Sequence, residues 1–122
     1  MISEEILRFI RSSIKTVWAL ELLLLIRRQS SQSWTAEGLT TELRSSLPLV
    51  ADILSGFKDA GLVKEMADGQ YRYQPATPEL EHLVEQLEKA YAARPLAVVK
   101  AILTAPNEKI QTFADAFKLK KD

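Results

Sequence analysis

Residues 33–75 read SWTAEGLTTELRSSLPLVADILSGFKDAGLVKEMADGQYRYQP, and four pieces follow one another along them. Thr35 is a good N-cap, and Ala36, Leu39 and Leu43 fall at helical spacing, which predicts a short helix over Thr35–Arg44. Ser45–Leu47 is a turn. Ser46 can cap the next helix, and Pro48 sits in its first turn, where a missing N–H costs little. That second helix, Pro48–Ala60, buries Val50, Ile53, Leu54 and Phe57 and directs Ser45, Pro48, Leu49, Asp52, Ser55 and Lys58 outward. Gly61 ends it, Leu62–Met66 reads as a strand, Asp68-Gly69 as a two-residue hairpin turn, and Tyr71–Gln74 as the returning strand. Helix, turn, helix and hairpin in this order spell a winged helix-turn-helix, a unit whose second helix commonly enters the DNA major groove.

On the N-terminal side, Ser3 caps a helix over Glu4–Arg11 or the start of a longer one, with Glu4 and Glu5 in the first turn where carboxylates favour the helix dipole and Ser13 as a point of restart. From Ile14 to Gln29 no breaker occurs. Trp18, Leu22 and Leu25 line one face of that stretch and Val17, Leu20 and Leu24 much of the rest, so this helix is buried on more than one side. Ser30–Ser33 is a polar loop, and Trp34 stoppers the core. After the hairpin, Thr77-Pro78-Glu79 opens a helix with Leu80, Leu83, Val84, Leu87 and Tyr91 on one stripe. Arg94-Pro95 breaks it, Leu96–Leu103 forms a short apolar helix, and Ala105-Pro106-Asn107 turns the chain. Ile110, Phe113, Ala114 and Phe117 then make a final amphipathic helix. The expected fold is mainly α with a small β-hairpin wing: one domain over residues 1–122, a winged helix-turn-helix core at 14–75, and flanking helices at 1–13 and 76–122. The flanking helices carry more apolar surface than a lone winged helix needs, which predicts a homodimer through the terminal helices; packing within one chain is the alternative.

The same stretch resembles the winged-helix transcriptional regulators of the MarR and TrmB kind. The Thr-capped helix with Leu39 and Leu43, the Ser-Ser turn, the helix ending in Gly61-Leu62-Val63 and the wing after it carry the resemblance. It implies a bacterial or archaeal cytosolic regulator, usually dimeric, sometimes with a ligand pocket between the DNA-binding unit and the dimer helices. The chain also departs from that pattern. Members that bind DNA tightly carry several Arg, Lys, Asn or Gln residues on the exposed face of the second helix and a basic wing, whereas this face offers Pro48, Leu49 and Asp52, with Lys58 near its end. Base readout by Arg–guanine or Asn–adenine pairing has little to work with here.

Charge sharpens the point. Sixteen Lys and Arg balance sixteen Asp and Glu, and from Thr40 to Gln74 four bases face five acids. Because phosphate neutralisation supplies most nonspecific affinity, weak binding per subunit is expected, reinforced by dimerisation or by a basic patch assembled from Arg27, Arg28, Lys118, Lys120 and Lys121. Arg44, Ser45, Ser46 and Lys58 are candidate phosphate contacts; Gln70, Tyr71 and Arg72 are candidate wing contacts; Pro48, Leu49 and Asp52 lie on the face presented to double-stranded DNA.

Other chemistry finds no footing in the sequence. Cys is absent, which excludes a disulfide framework, a thiolate metal site and a cysteine nucleophile and suits the cytoplasm. His82 is the single histidine, without H-E-x-x-H or similar spacing, and reads as a surface residue. Gly38, Gly56, Gly61 and Gly69 are too scattered for a phosphate loop, and no G-x-S-x-G elbow occurs. No enzyme, cofactor or metal is expected. The apolar run Val17–Ile26 is interrupted by Glu21 and falls far below the roughly 20 residues of a bilayer span, and Met1–Ile10 does not read as a signal peptide. The Phe113 and Phe117 stripe, flanked by Lys109, Lys118 and Lys120, reads as a docked structural helix or as one that meets a partner or a membrane surface. The expected function is that of a DNA-binding transcriptional regulator. The alternative is a winged-helix protein-interaction module that docks through the face around Leu49 and Asp52 or through the C-terminal helix.

Overall fold

Side-chain caps punctuate the chain. In the computed structural model, which describes residues 2–104, the helices are α1 (Glu4–Ser13), α2 (Val17–Arg28), α3 (Ala36–Leu43), α4 (Leu47–Ala60), α5 (Pro78–Ala93) and α6 (Pro95–Thr104), with strands β1 (Val63–Glu65) and β2 (Tyr71–Tyr73) between α4 and α5. Ser3, Thr16, Thr35, Ser46 and Thr77 each accept a hydrogen bond from the backbone N–H three residues on, at 3.3, 3.0, 2.9, 3.4 and 3.1 Å. Each therefore satisfies one of the orphan donors that open a helix. The expected helices at Thr35–Arg44 and Pro48–Ala60, the turn between them, and the starts at Ser3 and Thr77 all lie where these caps put them.

Two local expectations change. The N-terminal helix runs on to Ser13, and the next one starts at Val17 rather than Ile14. Ile14 closes α1 through its N–H to the Ile10 carbonyl and is fully buried, while Thr16 caps α2. The hairpin connection has three residues, Ala67–Gly69, instead of two. Gly69 N donates to Met66 O at 2.9 Å and Met66 N to Gln70 O at 2.7 Å, with Gly69 left-handed at φ 83°. A two-residue turn with Asp-Gly needs positive φ at both positions, and Asp68 does not adopt it.

β1 and β2 pair antiparallel with Val63 opposite Tyr73, Lys64 opposite Arg72 and Glu65 opposite Tyr71. Trp34 adds a further rung on the other edge of β2: its N–H donates to Tyr71 O at 2.8 Å and Tyr71 N–H donates back at 2.7 Å. Trp34 is thus both core stopper and sheet partner, and β2 is paired on both sides. Gly61 ends α4 at φ 79°, where a Cβ would also press on Ala76 Cβ at 3.2 Å, so glycine alone fits without strain.

The core is centred on α2, with Leu20, Leu22, Leu23 and Leu24 excluded from solvent and Leu39, Leu54, Phe57, Leu87 and Val98 closing around them. α2 packs on α3, α6 and β2; α1 packs on α4, α5 and α6. The apolar helix, expected to be buried on more than one side, is thus covered by α3 and α6 of the same chain. Trp18, expected on a buried face, is 42% exposed, and Leu96 and Leu103 stand out from α6 at 83% and 67%. The helix expected over Ile110–Phe117 lies outside the described residues, as do Lys118, Lys120 and Lys121.

Candidate functional site

The turn between α3 and α4 is built on Arg44. Its φ of 53° makes it the non-glycine residue with positive φ among those described, a conformation that costs an L-residue about 1–2 kcal/mol. Arg44 N–H reaches Thr41 O at 3.2 Å and Ser45 N–H reaches Thr40 O at 3.1 Å, which closes α3 and swings the chain into α4. Ser46 then caps α4, and Leu47, Pro48 and Asp52 stand exposed along its outer side. Leu47, placed in the turn by sequence, is the first residue of α4 and is 42% exposed. Leu49, expected to face outward, is half-buried and packs against the core. The helical arc that Val50, Ile53 and Phe57 bury is wide enough to take it in.

The structure therefore brings together Arg44, Ser45, Ser46, Pro48 and Asp52 at the start of α4. The remaining candidates sit toward the hairpin and are engaged within the chain. Lys58 donates to Glu65 at 2.8 Å, tying α4 to β1; this hydrogen bond, with the carboxylate's field, raises the ammonium's pKa. Arg72 donates through Nε and a terminal nitrogen to the carbonyls of Ser30 and Ser31 at 3.3 and 3.2 Å, lacing the hairpin to the loop before α3. Tyr71 is half-buried beside Trp34, and the Gln70 N–H donates to the Asp68 carboxylate at 3.0 Å.

The proposed basic patch loses Arg27. Its guanidinium, 20% exposed, faces α5, with Glu81 at 3.0 Å, Glu85 at 3.9 Å and Glu88 also in contact. Burial works against this charge, and the bond to Glu81 with the fields of Glu81 and Glu88 more than offsets it, so the pKa is raised. Arg28 meets the other Glu88 oxygen at 3.5 Å. Tyr73, at the base of β2, donates its hydroxyl to Glu81; burial first, then that carboxylate, raises its pKa well above the ordinary value. On the next turns Tyr91 donates to Glu21 at 2.9 Å, which raises its pKa as well. Arg8, Arg11 and Lys15 form an exposed basic row along and just beyond α1, with no carboxylate partner among the described residues. Their spacing of three and four residues was visible in the sequence, but nothing there set them near α4.

α1, the start of α2, α4 from Leu49 onward and the first turns of α5 flank an open groove of about 1440 Å³. Phe9, Ala19, Ile53, Phe57 and Leu83 contribute to its apolar lining. Four carboxylates on it, Glu5, Asp52, Asp59 and Glu79, face two cations, Arg8 and Lys15, and His82 sits among them. The volume exceeds the ~300–1,000 Å³ typical of small-molecule sites. Sequence reasoning missed this feature because its walls, α1 and α5, lie far apart along the chain.

Among the described residues no group of three His, Asp or Glu side chains could hold a metal ion, and no helix is long and apolar enough to cross a membrane. Comparison of the chain with protein-family models, with characterised proteins and with solved structures finds no match.

Proposed function

We propose that the chain is a winged helix-turn-helix protein that docks on duplex DNA and acts as a transcriptional regulator. The observation that carries this reading is the left-handed Arg44 turn, which presents the first turn of a 14-residue helix beside a hairpin stitched to Trp34. The positive dipole end of α4, a neighbouring guanidinium and two serines suit a phosphate, although Pro48 lacks an N–H and the Leu49 and Val50 N–H groups are taken by Ser46. From Leu49 onward α4 contributes to the groove between α1 and α5, so the contact is made by the start of α4, Ser46 to Pro48, and is led by the backbone of the duplex. Binding per copy is weak, because Lys58 and Arg72 are already engaged and Asp52 faces outward. Two copies would double the phosphate contacts, and among the described residues Trp18, Leu96 and Leu103 are large apolar side chains exposed away from the α4 N-terminus.

The test is fluorescence anisotropy of a labelled mixed-sequence duplex titrated with protein from low to physiological salt. Micromolar affinity that weakens steeply with salt is expected, and Arg44→Ala should reduce the slope of log K against log salt by about one. Absence of binding at low salt overturns the reading, since nonspecific phosphate affinity is the least that a groove-docking winged helix shows. A second reading, a winged helix that docks on protein, is favoured by one specific observation: the amphipathic groove reaches the Leu49 and Asp52 face.

A further inference from the structure

We propose that the basic row Arg8, Arg11 and Lys15 is a second contact with the phosphate backbone of the duplex, set apart from the start of α4. The inference rests on the reading of the chain as a duplex-binding protein and adds a surface outside the helix-turn-helix. From Ile6 to Leu20 the chain carries these three bases and no acid, in a sequence of zero net charge. Arg8 and Arg11 lie one turn apart on α1, and Lys15 follows just past the helix end. All three are exposed, while Ile6, Phe9, Ile10 and Ile14 of the same segment are buried. The core therefore holds α1 in place and turns the row to solvent.

Other cations are engaged within the chain. Arg27, Arg28, Lys58 and Lys89 each meet a carboxylate, and Arg72 binds two carbonyls. Among the described residues no carboxylate pairs with Arg8, Arg11 or Lys15. The helix dipole does not account for the row either: Arg11 in the last turn suits the negative end of α1, but Arg8 lies mid-helix and Lys15 beyond its end. Three cations in line, with no anion of the protein opposite them, fit a polyanion. Duplex DNA offers one phosphate per about 3.4 Å of axis on each strand, and a row about 10 Å long meets about three of them. The placement agrees with contact at the start of α4. α1 packs on α4, and Arg8 and Lys15 line the groove that Leu49, next to Pro48, also lines. Glu5 and Asp52 on that groove repel phosphates, and the row offsets them.

The experiment is the salt-dependent duplex titration repeated on the full chain with Arg8→Gln, Arg11→Gln and Lys15→Gln together. Glutamine removes the charge and keeps helix propensity, so circular dichroism and the urea midpoint should match the parent. The slope of log K against log salt should fall by about 2.7, or about 0.9 for each single substitution, so that the parent loses roughly 40-fold more affinity than the triple variant between about 50 and 200 mM salt. Arg8→Lys with Arg11→Lys should keep the parent slope, because the backbone reads charge. Arg94→Gln with Lys100→Gln, exposed cations elsewhere, should keep it as well. A parent slope retained by the triple variant overturns the row and leaves the α4 contact standing; a slope lost with the row while Arg44→Ala is silent supports the row and removes the α4 contact. An equal loss, charge for charge, in the Arg94 and Lys100 pair overturns the row, since net charge alone would then be at work. A parent that binds no duplex at low salt overturns both proposals, and binding to phosphatidylserine vesicles in its place would assign the row to a membrane surface.

Discussion

The stretch from Trp34 to Tyr73 and the layer formed by α1, α5 and α6 are held by different means. The first is organised by neighbours in sequence: Thr35 and Ser46 caps, the Arg44 and Gly61 left-handed turns, the Gly69 hairpin. Its longer polar contacts are few: the Trp34–Tyr71 backbone pair, Lys58 to Glu65 and Arg72 to the loop before α3. The second is fastened to α2 by contacts between residues 54, 61 and 70 positions apart, Arg27 with Glu81, Arg27 with Glu88 and Tyr91 with Glu21. Tyr73 joins the two, because its hydroxyl and the Arg27 guanidinium share Glu81. Short-range order can therefore form early in one region, while the other depends on tertiary packing to bring its partners within reach.

The strongest way to break this division is to ask whether the regions unfold separately. Phe57 is fully buried, belongs to α4 and also lines the groove against α1 and α5. Phe57→Ala should cost about 3–5 kcal/mol, a large share of the ~5–15 kcal/mol that holds a domain together. Trp18 lies on α2, to which the second region is fastened, and Trp34 pairs with the sheet of the first, so single-tryptophan variants watched through urea give one probe on each side. Coincident transitions are expected; a Trp34 transition that moves alone would show two independent regions.

A narrower cut removes the fastening of α5. Arg27→Ala leaves Glu81 and Glu88 without their shared cation and strips the apolar stem of a side chain that is 20% exposed. The expected loss is about 2–3 kcal/mol, somewhat below that for a fully buried pair. Amide exchange should rise in α5 more than in α3 and α4, and equal rises throughout would remove the contrast drawn here.

The smallest expected effect falls on the residue that joins the regions. Tyr73→Phe should cost about 1 kcal/mol at neutral pH, the worth of one hydrogen bond to a charged acceptor less what Arg27 recovers at Glu81. Because the folded hydroxyl's pKa lies above its unfolded value of about 10, its contribution is complete below that pH and is lost as pH rises through the folded pKa. Urea midpoints measured from neutral to alkaline pH should therefore fall more steeply above pH ~10 for the parent than for Tyr73→Phe. Parallel curves would place the hydroxyl outside the network.

The starts after Ser3, Thr35, Ser46 and Thr77 were legible because a serine or threonine three residues before an N–H is a complete physical device, needing nothing from the rest of the chain. The Gly61 stop and the Pro95 break were legible for the same reason. The break between α1 and α2 was misplaced because Ile14 continues the apolar pattern while its burial ends one helix and leaves Thr16 to begin another. Of the candidate contacts, the cluster at the start of α4 followed from the turn, whereas the engagement of Lys58 and Arg72 did not. Lys58 meets Glu65 once the chain turns at Gly61 into β1, and Arg72 meets a loop 41 and 42 residues away. The sequence by itself determined the order of helices and hairpin, their caps and the weak charge of the α4 face, since all of these rest on neighbours within a few residues. Only the tertiary structure decided that Arg27 is held by α5, that β2 is paired with Trp34, and that α1 and α5 make a groove beside α4, because long-range packing chooses which surfaces meet.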